Sequence, residues 1–193
     1  MIGSIVASLF NSDYGMIPTL PKRLEKLNAA RSRFLSALNR VPEDLLNSSP
    51  QPGVWSPLEV AEHTYRSERA MLRALERQLD PDGERREVGD PSRIRVSALM
   101  LAMRAPTKFK VPASAGVAPK GISLEEMRTD WATFEERWSK LIEDFPEELA
   151  TTGLVRHPYS GALTASQGIQ FLALHTARHL KQLKRVVNLL KSA

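Results

Sequence analysis

Four stretches of the chain carry apolar residues at the spacing of an amphipathic helix. In the first stretch these residues recur at steps of three and four or their multiples, which places them on one helix face: Leu20, Leu24, Leu27, Phe34, Leu38 and Val41. Arg31 falls on the same face, so it either lies at the edge or reaches a polar centre. Pro42 closes the pattern, because a residue before proline is driven out of the helical conformation. The first helix is therefore predicted from Leu20 to Val41.

The second predicted helix begins at a capping box. Ser56 is a good N-cap, Pro57 suits the first helical position, and Glu59 stands where a capping box needs an acidic residue. The helix should run to about Leu79. One face of it carries Val60, His63, Ser67, Met71 and Ala74, so His63 is expected to point inward.

The third predicted helix has the cleanest apolar face of the chain. It begins at Ser123, with Glu126 in the position of a capping box, and ends before Pro146. Steps of four and three alternate along its apolar residues, which we interpret as core: Met127, Trp131, Phe134, Trp138, Leu141 and Phe145.

The fourth predicted helix starts at the capping box Thr164–Gln167 and runs to about Leu190. Two histidines lie in the middle of its otherwise apolar face, and Gln182 lies beside that face. The residues that share the face are Gly168, Leu172, His175, His179, Val186 and Leu190.

A connection of about 43 residues, 80–122, separates the second and third helices. Within it, residues 93–104 are predicted to form a short helix, whereas the proline-rich stretch 105–121 should be an extended loop. A connection this long is often functional in a compact domain. The pattern as a whole predicts an all-α fold, a four-helix bundle over residues 20–193 with a long, partly helical insertion between helices two and three.

Residues 1–19 form a leader to which the pattern assigns no role. Its apolar start has no preceding basic region, as a signal peptide would require, and no run approaches the ~20 apolar residues that span a bilayer. We therefore expect a cytoplasmic protein without a membrane segment.

Composition narrows the chemistry. The formal net charge is +5, but the basic residues are spread along the chain. We therefore expect a small anionic partner rather than nucleic acid. Lys108, Lys110 and Lys120 in the long loop are candidates to meet such a partner, or are simply solvated. The chain has no cysteine, so a transition-metal site would have to use histidine or carboxylate ligands.

Three of the four histidines fall at inward helical positions. His175 and His179 stand four residues apart, which brings both imidazoles onto one face, where they could share a metal at bonds of ~2.0–2.1 Å. A third ligand would have to come from a facing helix, and His63 is placed to supply it. Three hydrogen-bonded core histidines are the alternative interpretation. A zincin-type protease is not indicated, because no Glu follows His175.

Three segments surround or contain the histidines: Val54-Trp-Ser-Pro-Leu-Glu-Val-Ala-Glu-His63, His157-Pro-Tyr-Ser-Gly161 and His175-Thr-Ala-Arg-His-Leu-Lys-Gln182. These motifs resemble those of the DinB/YfiT-like family of metalloenzymes. They occur in the order found in that family, and the resemblance extends from about Leu20 to Leu190.

The resemblance implies that His63, His175 and His179 bind one divalent metal ion, zinc or nickel, with iron or manganese as alternatives. It also implies a structural corner at His157, with Gly161 supplying a turn. Gln182 and Arg178 are expected to lie beside the ligands. The resemblance identifies no catalytic residue. The candidates near the metal are His157, as a fourth ligand or a proton-transfer group, and Glu62, as a base.

Three functions follow from the resemblance as expectations. The first is a metal-dependent transferase that joins a low-molecular-weight thiol, such as bacillithiol, mycothiol or glutathione, to a small electrophile. The second is a metal-dependent hydrolase, and the third is a non-enzymatic stress or binding module stabilised by its metal. A homodimer is also expected for such a bundle, although no sequence patch decides this.

Overall fold

The computed structural model describes residues 19–105 and 116–192. Its helices are α1 (Thr19–Leu38), α2 (Pro57–Leu79), α3 (Arg93–Arg104), α4 (Leu124–Ala132), α5 (Phe134–Glu143) and α6 (Ala165–Lys191). A hairpin of β1 (Val155–His157) and β2 (Gly161–Leu163) precedes α6, and short 3-10 turns occupy Glu43–Leu45 and Glu147–Leu149. The leader up to residue 18 lies outside the described residues, as do Lys108 and Lys110.

The predicted four-helix bundle is confirmed, with α1, α2, the α4–α5 pair and α6 as its four members. α3 lies in the long connection between the second and third members, at the bounds that the sequence predicts. α1 begins at Thr19, one residue earlier than predicted.

The capping boxes at the starts of α2 and α6 are confirmed. The Ser56 hydroxyl accepts a hydrogen bond from the Glu59 amide at 3.2 Å, and the Glu59 carboxylate accepts one from the Ser56 amide at 2.8 Å. Thr164 and Gln167 make the same reciprocal pair. These bonds satisfy amides that have no partner within the helix, which fixes where each helix begins.

The capping box predicted at the start of the third bundle member forms only in half. Ser123 accepts a hydrogen bond from the amide of Glu126 at 3.1 Å, but the reciprocal bond from the Glu126 side chain is not among the described contacts. A single cap is enough to begin a helix, so α4 starts where the sequence predicts.

Two predicted helix lengths need correction. α1 ends at Leu38 rather than Val41, because the last residues tighten into a turn in which the Val41 amide donates to the Leu38 carbonyl. The third bundle member is two helices joined at Thr133, whose hydroxyl donates to the Asp130 carbonyl at 2.8 Å. The buried face continues across this joint, so the apolar pattern does not reveal it.

A buried polar centre ties three bundle members together. Glu68 of α2 is fully buried and accepts hydrogen bonds from Arg31 at 2.6 Å and from the indoles of Trp131 and Trp138 at 2.8 and 3.1 Å. Arg31 therefore reaches a polar centre, the second of the two places that its position on the α1 face allows. A buried carboxylate needs this full set of donors to offset the loss of water.

α2 and α6 pack closely and run antiparallel where they meet. A Cβ placed on Gly168 would lie 2.9 Å from the sulfur of Met71. The Met71 side chain of α2 therefore packs directly against the backbone of α6 at this glycine. About two turns away along both helices, His63 meets His175. The close packing thus places the histidines of α2 and α6 opposite one another.

Candidate metal centre

Three imidazoles meet in the interior of the bundle. The Nε2 atom of His175 lies 3.2 Å from Nε2 of His63 and 3.1 Å from Nε2 of His179. One ligand atom from each residue lies within 4.8 Å of the others, and all three side chains are buried. The sequence predicts that these three residues come together, and they do.

The hydrogen bonds on the outer ring nitrogens fix two of the tautomers. Nδ1 of His63 lies 2.8 Å from the carbonyl oxygen of Val117, and Nδ1 of His179 lies 2.8 Å from Oε1 of Gln182. Both partners accept hydrogen bonds, so each Nδ1 must carry the proton and each Nε2 must present its lone pair. Two lone pairs therefore point at His175, whose single Nε2 proton could satisfy only one of them.

Two of the three nitrogen–nitrogen separations fit a tetrahedral metal ion. Metal–nitrogen bonds of ~2.0–2.1 Å at tetrahedral angles separate two ligand nitrogens by about 3.3 Å. The observed separations of 3.1 and 3.2 Å lie close to that value. Lone pairs that face one another this closely repel, and a cation between them removes the repulsion.

Burial keeps the three imidazoles neutral. It lowers the pKa of His63 and holds that of His175 well below the ordinary value, with neighbouring histidines adding to the second effect. Burial and the nearby His63 lower the pKa of His179 to about 3. Neutral imidazole is the form that coordinates a metal, so the site is prepared for a ligand role near neutral pH.

Aromatic rings border the site. The Trp55 ring lies 5.0 Å from that of His63, and the Phe171 ring lies 5.2 Å from that of His175. Only 8% of His175 and 8% of His179 is exposed, against 2% of His63. Within the described part of the chain, Nδ1 of His175 is buried without a hydrogen-bond partner. Little of the three histidines is therefore accessible to solvent.

Gln182 and Arg178 lie beside the cluster but differ in what they contact. Gln182 holds His179 as described above. Arg178 donates to the Ala105 carbonyl at 2.6 Å and lies 3.5 Å from that of Ala102, so it binds the carboxyl end of α3. Arg178 therefore attaches α3 to α6 next to the site.

His157 stands outside the cluster. Its Nδ1 accepts hydrogen bonds from the amides of Tyr159 and Ser160 at 3.3 and 3.4 Å, within the turn that joins β1 to β2. Gly161 closes that turn at a φ of 78°, which confirms the predicted corner. The Phe171 ring contacts both His157 and His175. Three-residue strands are too short for a periodic signal, so the sequence did not predict the hairpin itself.

Glu62 binds a loop rather than standing free. Its carboxylate accepts hydrogen bonds from the amides of Lys120 at 2.7 Å and Gly121 at 2.9 Å, with a longer contact to Ile122. These residues belong to the segment 116–122, here called the strap. Neither this role of Glu62 nor the contact of the Val117 carbonyl can be predicted from the sequence, because the strap has no pattern that indicates its partners.

A family model matches most of the chain. The model of the DinB superfamily matches residues 26–183, most of the chain and all of the cluster. The chain belongs to the DinB superfamily. The resemblance of its motifs to that family is thereby confirmed.

The chain is also similar to one curated relative in sequence and to one solved structure in fold. The uncharacterized protein YuaE of Bacillus subtilis (strain 168) is 26% identical over 159 residues, covering 82% of this chain and 93% of that protein. The crystal structure of TT2238, a four-helix bundle protein, superposes with a TM-score of 0.54 at 20% identity and covers 86% of this chain and 98% of that one. At this identity the second likeness supports the fold alone.

Among the described helices, none combines the length and apolar character that crossing a membrane requires.

Proposed function

We propose that His63, His175 and His179 hold one divalent metal ion, and that the chain is a metal-dependent enzyme. The observation that carries the proposal is the convergence of three buried, neutral imidazoles in the bundle interior, with ligand atoms that all lie within 4.8 Å of one another. Zinc or nickel suits three imidazoles best, with iron or manganese as alternatives. Sites of this kind are built on facing helices of a bundle.

Three protein ligands favour catalysis over a purely structural role. Structural zinc sites are usually closed by four protein ligands, whereas catalytic sites keep a position for water or substrate. Within the described residues, the group of potential ligands contains only the three histidines. A bound ion would therefore keep at least one position for an exogenous ligand.

The reaction we propose is transfer of a low-molecular-weight thiol to a small electrophile. When bound, the ion would lower the pKa of a coordinated thiol and so supply a thiolate near neutral pH. The thiol must come from outside, because the chain has no cysteine. Trp55 and Phe171 would shield the reacting atoms from water, while Gln182 and the Val117 carbonyl keep the imidazoles oriented.

An electrophile-conjugation assay tests this proposal. Protein loaded with zinc or nickel is mixed with monobromobimane and, in turn, glutathione, bacillithiol and mycothiol. We expect conjugation above the uncatalysed rate with at least one thiol, abolished in His179→Ala and retained in Asn188→Ala, an exposed change on the same helix. An unchanged rate of conjugation in His179→Ala would contradict the transferase proposal.

The same material separates the alternatives. Metal-dependent turnover of esters or amides without added thiol would favour the hydrolase. Metal binding that only raises the melting temperature, with no turnover of either kind, would favour a metal-stabilised stress or binding module. The cytoplasmic location and the homodimer expected from the sequence stay predictions, and size-exclusion chromatography with light scattering checks the second.

A further inference from the structure

The strap (residues 116–122) is tied to α2 by three side chains from neighbouring positions of that helix. Glu62 accepts from the strap amides of Lys120 and Gly121, and His63 donates to the carbonyl of Val117. Arg66, one turn further on, lies 3.2 Å from the carbonyl of Gly116 and 3.4 Å from the Glu62 carboxylate. Together these bonds fix the strap at both of its ends.

Glu62 is the anchor of this arrangement. Only 1% of the residue is exposed, and its carboxylate accepts two short bonds from strap amides. Bonds from N–H groups to a charged carboxylate are about twice as strong as neutral ones. If the strap amides moved away, the buried carboxylate would lose the hydrogen bonds that replace those to water, which costs free energy. Detaching the strap from Glu62 is therefore unfavourable.

We infer that Glu62 is a positioning residue for the metal centre, acting through the strap on the tautomer of His63. This inference rests on the proposed function. The strap held by Glu62 places the Val117 carbonyl 2.8 Å from Nδ1 of His63. That acceptor requires the proton on Nδ1, which leaves the Nε2 lone pair directed at His175 and His179.

The juxtaposition gives Glu62 a role different from proton transfer. Glu62 and His63 are adjacent in sequence. His63 bonds the strap near its start, at Val117, and Glu62 bonds it near its end, at Gly121. A displaced strap would remove the only described acceptor for Nδ1 of His63. The imidazole could then adopt the other tautomer, with a proton on the nitrogen that should bind metal.

The test compares Glu62→Gln with Glu76→Gln. Glu76 lies on the same helix, about 21 Å further along at the helical rise, and accepts hydrogen bonds from Arg137. Both changes remove one negative charge and retain the side-chain shape. The glutamine at position 62 turns an amide donor toward the strap amides and so breaks at least one of their bonds.

Two readouts use the metal-free protein. Nitrogen-15 NMR of the imidazoles is expected to show the Nδ1–H tautomer of His63 in wild type and Glu76→Gln, and a mixture of tautomers in Glu62→Gln. Amide hydrogen exchange of residues 120–122 should accelerate at least tenfold in Glu62→Gln alone. If Glu62→Gln fails to fold, Glu62→Asp takes its place, because it keeps the charge but withdraws the carboxylate from the amides of Lys120 and Gly121 by about one carbon–carbon bond. It should change the His63 tautomer and accelerate exchange of residues 120–122 in the same direction.

A third readout concerns metal affinity. The dissociation constant for zinc is expected to rise ten- to a hundredfold in Glu62→Gln and to stay within twofold in Glu76→Gln. An unchanged His63 tautomer together with unchanged strap exchange would overturn the inference. Failure of wild-type protein to take up zinc would instead overturn the proposed function, while the two metal-free readouts would still decide the role of Glu62.

Discussion

Two of the three imidazoles in the cluster, those of His63 and His179, are oriented by the groups that their outer nitrogens contact. Gln182 was predicted to lie beside the ligands, and its position three residues after His179 brings it to the same helix face. Val117 carries no such signal, because its contact to His63 is made by a backbone carbonyl in an aperiodic loop. The sequence could thus predict which three histidines meet, but only one of the two groups that orient them.

Removing the Gln182 acceptor should weaken metal binding without disturbing the fold. In Gln182→Ala the Nδ1 proton of His179 loses its described partner, so the ring is less firmly oriented. We expect the zinc dissociation constant to rise by roughly tenfold. Competition titration against a chromophoric chelator measures it, with Asn188→Ala on the same helix as the control. Equal affinity in both variants would contradict the role given to Gln182.

His157 should make the stability of the metal-free protein depend on pH. Burial lowers its folded-state pKa to about 4, below the ~6.5 of an unfolded histidine. The unfolded chain therefore takes up this proton first, so the stabilising contribution is present above pH 6.5 and is lost as the pH falls toward 4. The slope from this residue is at most ~1.4 kcal/mol per pH unit.

Urea denaturation of the metal-free protein between pH 4 and 7 measures this dependence. The difference in unfolding free energy between wild type and His157→Asn should shrink as the pH falls through that window. Two curves that run parallel over the whole range would show that His157 is not held neutral in the fold.

At the scale of elements, capping residues located the starts of helices more accurately than apolar periodicity located their ends. The caps at Ser56 and Thr164 located the starts of α2 and α6 correctly, because each satisfies amides that the helix leaves unpaired. The joint at Thr133 escaped prediction, since a turn with helical dihedral angles keeps the apolar face continuous. The partnership of Arg31 with Glu68 joins distant positions, so only the packing of the helices reveals it.

Breaking the buried polar centre should destabilise the bundle strongly. Glu68→Ala leaves Arg31 charged and buried, and it removes the acceptor of two buried indoles. Loss of one partner of a buried pair costs about 3–5 kcal/mol of unfolding free energy. The control is Glu76→Ala, which breaks a partly exposed pair with Arg137 and should cost about 1 kcal/mol or less. Chemical denaturation measures the free energy of unfolding of both variants. Similar losses in the two would contradict the stabilising role given to the Glu68 contacts.

At the scale of the molecule, the antiparallel packing of two helices brings histidines that are distant in sequence into one site. α2 supplies His63 and α6 supplies the other two, and the bundle holds both helices at fixed distance through contacts such as Gly168 against Met71. The superfamily match covers α2 and the part of α6 that carries its two histidines. The substrate cannot be predicted in the same way, because the proline-rich stretch 105–121 has no periodicity from which the contacts of its residues follow.

Metal binding should stabilise the whole bundle, since the ligands come from two helices and converge only in the folded state. At a hundredfold excess of zinc over its dissociation constant the gain is ~2.7 kcal/mol. For a chain of this size that corresponds to a rise in melting temperature of roughly 5–10 °C. Differential scanning calorimetry with zinc or with EDTA measures it. The double variant His175→Ala/His179→Ala should show no such shift, and a shift equal to that of wild type would place the zinc elsewhere.

The most direct test of the central claim is the metal content of the purified protein. Inductively coupled plasma mass spectrometry is applied to wild type and to His175→Ala/His179→Ala, before and after exposure to zinc or nickel and removal of free ions. We expect one divalent metal ion per wild-type chain and none retained by the double variant. Wild-type protein that carries no divalent metal and takes none up on titration would contradict it.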